Sequence, residues 1–150
     1  RGAYSPSWLS DSKRLIVHDL DKIYILDLDG NILRTFEVEE VAKNNSVSSS
    51  TRFIMTQDEK NLIFSAGVDE DADFEEPPEA LFIYNIDSKK ITRLSPKGMY
   101  CAEPVLSSNN ELLFSGSTSM DDPWSIYKMK LGGGKPELYI KDATVPSIRK

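Results

Sequence analysis

Ile23-Tyr24-Ile25-Leu26-Asp27-Leu28-Asp29-Gly30 is a line that this chain writes three times. It returns as Leu81-Phe82-Ile83-Tyr84-Asn85-Ile86-Asp87-Ser88 and again as Ile126-Tyr127-Lys128-Met129-Lys130-Leu131-Gly132-Gly133. Read in columns, the line is aliphatic, aromatic, variable, bulky apolar, polar, aliphatic, then a turn. Alternation of this kind puts successive side chains on opposite faces of a strand. Recurrence on this scale marks a modular array, so architecture has to be settled before any single residue is given chemistry.

The repetition extends upstream. Pro6-Ser7-Trp8-Leu9-Ser10-Asp11-Ser12-Lys13-Arg14-Leu15-Ile16-Val17 precedes the first copy, and residues 53–64 (FIMTQDEKNLIF) and 104–114 (PVLSSNNELLF) precede the others. Leu15 to Leu62 is 47 residues and Leu62 to Leu112 is 50. Such periods fit four-stranded propeller blades of roughly 40 to 50 residues. The repeats divide as about 4–50, 51–100 and 101–143, with a partial fourth over 144–150 that opens on Val145-Pro146-Ser147-Ile148.

Within the first repeat, strands are expected over 4–9, 14–18, 22–28 and 31–36, separated by short polar turns such as Ser10-Asp11-Ser12. Asp29-Gly30 predicts a two-residue primed hairpin turn, because both residues tolerate positive φ. The third strand carries Ile23, Ile25 and Asp27 on one face and Tyr24, Leu26 and Leu28 on the other; the second, wholly apolar face is the one expected to be buried. Residues 37–50 are polar and form the crossing to the next repeat, with a short helical turn over 39–43. Residues 65–80 (SAGVDEDADFEEPPEA) are an insertion between the second and third strands of the middle repeat. An all-β chain with little helix follows.

These residues resemble the TolB-type propeller repeat, a WD40-like family whose usual form is close to P-x-W-S-P-D-G-K-x-I-A-F followed by I-Y-V-M-D-L-D-G. The resemblance covers nearly the whole chain. It drifts where Phe53 and Met55 stand for Pro6 and Trp8, and where Leu106 stands for the tryptophan. It implies four-stranded antiparallel blades and a non-enzymatic scaffold that binds a protein or peptide through blade-connecting loops. It implies, too, a periplasmic or cell-envelope location. Similar repeats also accompany prolyl-oligopeptidase-like and tricorn-like peptidases as substrate-gating propellers, and oligogalacturonate lyases as sugar-processing enzymes. Propellers have typically four to eight blades, so three are too few to close a ring. A piece of a longer, six-bladed propeller is the favoured expectation; a homodimer closing six blades and an open stack with capped edges are the others.

Chemistry is sparse. A formal charge of -6 and a pI near 4.8 argue against nucleic acid, whose phosphates are bound by Lys and Arg. No apolar run reaches the length of a signal peptide or membrane helix, and no membrane insertion is expected. One histidine and one cysteine cannot build a zinc site or an internal disulfide. His18 is expected at a strand end facing a loop or the channel, Cys101 as a small buried residue, and no G-x-S-x-G elbow exposes a nucleophile. No catalytic constellation or cofactor is expected. Calcium is the one metal the acidic insertion suggests, but it lacks the EF-hand register. Asp69, Glu70, Asp71, Asp73, Glu75 and Glu76 read instead as a solvated loop suited to a basic partner, with Trp124 as a binding-surface aromatic and Trp8 packed between blades.

Overall fold

In the computed structural model, which describes residues 2–69, 78–119, 121–132 and 134–148, the chain forms three four-stranded antiparallel sheets. The first contains β1 (Tyr4–Trp8), β2 (Arg14–His18), β3 (Lys22–Asp27) and β4 (Ile32–Glu37). The second contains β5 (Ile54–Met55), β6 (Asn61–Gly67), β7 (Glu79–Asn85) and β8 (Lys90–Arg93). The third contains β9 (Tyr100–Leu106), β10 (Glu111–Ser117), β11 (Ser125–Lys130) and β12 (Glu137–Ile140). Strands pair in sequence order within each sheet.

Each sheet opens with the same turn. Leu9, Thr56 and Ser107 carbonyls accept from the amides of Ser12, Glu59 and Asn110, and these three residues have φ of 56°, 57° and 57°. The left-handed position falls where the usual repeat has glycine. Asp11 and Asp58 reinforce two of the turns: Asp11 Oδ1 accepts from the Lys13 and Arg14 amides, Asp58 Oδ1 from the Lys60 amide.

The hairpin between β3 and β4 differs from the expected two-residue turn. Gly30 donates to the Asp27 carbonyl and Asp27 to the Asn31 carbonyl, so Leu28 and Asp29 are the central residues and Gly30, at φ 85°, takes the left-handed place after them. The Asp27 carboxylate fixes the longer loop by accepting from the Asp29 and Asn31 amides. That side chain favours a wider turn over the primed one.

The repeated line explains how the sheets stack. Ile16, Ile23 and Ile25 of the first sheet share one apolar cluster with Leu62, Phe64, Phe82 and Tyr84 of the second. Ile63 and Leu81 of the second share another with Leu112, Phe114 and Met129 of the third. The second, fourth and sixth positions of the line therefore face the preceding sheet, and the first and third face the following one. A buried side chain of this size contributes about 1.5–3 kcal/mol through removal from water.

This reverses the expected burial in the first sheet. Ile23 and Ile25 are the buried pair, whereas Tyr24 and Leu26 are half-buried and Leu28 is 63% exposed. Their face is written for a preceding sheet, and among the described residues none precedes the first. Tyr24 instead donates to Asp19 Oδ2 at 3.0 Å.

Between the first two sheets lies α1 (Val38–Ala42), one residue earlier than expected. Val38, Val41 and Ala42, at helical spacing, join the first cluster. Glu40 on the same turn accepts from the Tyr84 hydroxyl at 2.7 Å and pairs with Lys89 at 3.2 Å. A second tie is the two-pronged pairing of Arg14 with the Glu59 carboxylate.

Candidate functional site

The first strands of the three sheets converge on one cleft. Pro6, Ser7 and Trp8 come from β1, Ile54 and Met55 from β5, and Val105 and Leu106 from β9; residues 146–148 border it, and its volume is about 450 Å³. A second hollow of about 270 Å³ shares Met55, Leu106 and Ile148 and continues past Ser10, Gln57 and Ser107. The cleft thus ends at the turns that open each sheet.

Arg52 stands two residues ahead of β5 and is half-buried, between Thr51 and Phe53, which are both buried. Thr51 receives His18 and Phe53 packs into the first cluster, while Arg52 lines the cleft. Trp8 is 51% exposed there rather than packed between sheets.

His18 also lies elsewhere than expected. It is fully buried between the first two sheets, with Nε2 2.9 Å from the Thr51 carbonyl oxygen and Nδ1 accepting from the Leu20 amide at 3.4 Å. Its ring belongs to a ladder, Tyr4–His18–Phe53–Phe64–Phe82, with centroids 5.1 to 5.8 Å apart. Burial lowers its pKa, opposed by the Thr51 carbonyl and the Asp19 charge. Engaged by main-chain groups on both nitrogens, it meets no nucleophilic hydroxyl or thiol among the described residues.

Cys101 is buried near the start of β9, and burial pushes its thiol up to about 12. A thiol held protonated in this way is a packing group, since the thiolate is the nucleophile. Burial likewise raises the Glu79 carboxyl, against a hydrogen bond from Ser65 and with the Glu103 charge adding to the rise. Glu103 itself accepts from Ser115 Oγ at 2.8 Å and from the Val145 amide at 3.1 Å. Among the described residues no group of three or more His, Cys, Asp or Glu is placed to hold a metal.

Of the residues expected to bind a partner, Asp69 is exposed just beyond β6, and Trp124 is half-buried immediately before β11; neither lines the cleft. Glu70, Asp71, Asp73, Glu75 and Glu76 lie outside the described residues. The cleft residues Trp8, Arg52, Ile54 and Val105 went unrecognised. One signal for them was present: the first strands of the three repeats align in sequence, and Arg52 sets a cation just ahead of the second of them.

Solved structures share the fold of the three sheets. TolB from Acinetobacter baumannii superposes over 93% of this chain and 43% of its own, at 16% identity and a TM-score of 0.57. The fold is that of TolB-like propeller blades. The tricorn protease matches over 87% of this chain and 14% of its own, at 12% identity and a TM-score of 0.56. Dipeptidyl peptidase 4 of Porphyromonas gingivalis matches over 91% and 25%, at 14% identity and 0.54. The chain therefore spans less than half the length of these TolB-like and peptidase neighbours. No protein-family model and no curated protein matches the sequence. No helix among the described residues is long and apolar enough to cross a membrane.

Proposed function

We propose that the chain is a non-enzymatic interaction module that binds a segment of a protein or peptide partner where its blades converge. The cleft carries this reading: three rigid sheets each contribute their first strand to it, and their opening turns rim it. Loops and strand ends held by such a scaffold are where binding is commonly placed. The acidic insertion, from Asp69 to Glu76, is a second docking element suited to a basic partner. The likeness to TolB supports a place in the bacterial cell envelope, in the periplasm.

A second reading is the substrate-gating propeller of a larger peptidase. It is favoured by the near-equal likeness to the tricorn protease and to dipeptidyl peptidase 4, long chains of which this one spans 14% and 25%. Photo-crosslinking tests the first reading. A benzophenone side chain at Trp8 or Met55 is expected to capture a partner segment in cell extract, and one at Leu138 on the outer strand is not. Equal capture from both places would refute binding at the cleft.

A further inference from the structure

We infer that the cleft takes the C-terminal end of an apolar peptide and that Arg52 holds its terminal carboxylate; this rests on the cleft being a peptide-binding site. Among the described residues that line either hollow, Arg52 is the only charged one. Among the described residues it has no ion-pair partner: the pairs present use Arg14, Lys22 and Lys89. The equivalent positions in the other sheets are satisfied within the fold. Ser5 Oγ donates to the Ser49 carbonyl at 2.9 Å, and the Glu103 carboxylate is taken by Ser115 and Val145. Arg52 alone in that column is left facing the cleft.

A guanidinium beside apolar walls binds a carboxylate through two parallel hydrogen bonds, more strongly than it does in water. The rest of the recognition is apolar. The half-exposed Trp8 ring, Ile54, Met55 and Val105 receive side chains, and Ser7, Ser12 and Ser147 are placed to bond main-chain groups. The Arg52 guanidinium favours a chain end, which brings a carboxylate, over a chain passing through. About 450 Å³ lies within the range of sites for small ligands, roughly 300–1,000 Å³, which suits a few terminal residues. The net charge of -6 repels carboxylates in general, so the Arg52 cation in the cleft also selects where an acidic end can settle.

The test is an array of ten-residue peptides, each made with a free C-terminal carboxylate and as the C-terminal amide, followed by fluorescence anisotropy on those retained. Retained peptides are expected to carry apolar residues in their last positions, and their amides to bind about tenfold more weakly, the loss of a charge-assisted hydrogen-bonded pair. Arg52→Gln is expected to abolish the difference between acid and amide, and Arg52→Lys to keep part of it, with circular dichroism melts showing that both variants fold. Trp8→Ala is expected to weaken both forms while leaving the preference in place. Equal binding of acid and amide, or a preference that survives Arg52→Gln, would overturn carboxylate recognition and leave peptide binding standing. Absence of binding in both forms, or binding unmoved by Trp8→Ala, would take the cleft reading down with it.

Discussion

The middle sheet and the first sheet carry the same line of residues in different surroundings. In the middle sheet, Phe82 and Tyr84 pack on the sheet before and Leu81 on the sheet after, and all three are buried. In the first, Ile23 and Ile25 are buried by the following sheet, while Leu28, Ile32 and Trp8 remain exposed. All nine exposed large apolar residues among those described lie in the first blade or in and beyond the last strand of the third. A blade's two faces are thus addressed to two different neighbours, and only the middle blade has both.

The sharpest way to break that comparison is to truncate the same column in both sheets. Phe82→Ala should cost about 3–5 kcal/mol in urea unfolding, as expected for a buried aromatic. Tyr24→Ala, half-buried on the open face, should cost about 1 kcal/mol or less beyond its bond to Asp19. Equal losses would show that the line does not address its faces to neighbours. Leu28→Asp sharpens the point: it should leave stability nearly unchanged and lower any self-association seen by light scattering as concentration rises.

The blade count, the strands of the first repeat and the crossing helix were all legible, because alternation and turn chemistry act locally. Residues 14–18 are a strand as expected, and the helical turn shifts by one residue. What could not be read locally was which face of β3 would be covered, since Tyr24-x-Leu26-x-Leu28 is apolar whether or not a neighbour is present. His18 and Trp8 exchange surroundings for a related reason. Each sits in an alternating strand, and only the packing of the second sheet decides which side becomes interior. Arg52 escaped notice because a single cation ahead of a strand is commonplace; its meaning comes from the cleft that it lines together with strands of all three sheets.

His18 extends the comparison to pH. It lies on the covered face of the first sheet, and burial holds its pKa below the ordinary 6.5. The unfolded chain therefore binds the proton more readily than the folded one. Its contribution is fully present above about pH 6.5 and is lost as pH falls from there toward the folded value, with a limiting slope of about 1.4 kcal/mol per pH unit. The His18→Phe variant should flatten the stability profile just below pH 6.5. Asp11, Asp27 and Asp58, whose pKa values are lowered by hydrogen bonds, lose their contributions only at more acid pH. A variant that still loses stability as pH falls below 6.5 would assign the effect to another group.

The smallest effect compares the opening turns. Ser12 and Glu59 occupy the same left-handed position, which costs an L-residue roughly 1–2 kcal/mol. Glycine removes that cost but adds roughly 0.5–1 kcal/mol of unfolded-chain entropy. Ser12→Gly should therefore stabilise the chain by about 0.5–1 kcal/mol in urea unfolding. Glu59→Gly relieves the same backbone but removes the carboxylate that receives Arg14 across the blade interface. Its gain should be offset, leaving stability unchanged or slightly reduced, and Arg14→Gln should erase the difference between the two glycine variants. Equal gains from both substitutions would mean that the Arg14–Glu59 pair contributes nothing to joining the first blade to the second.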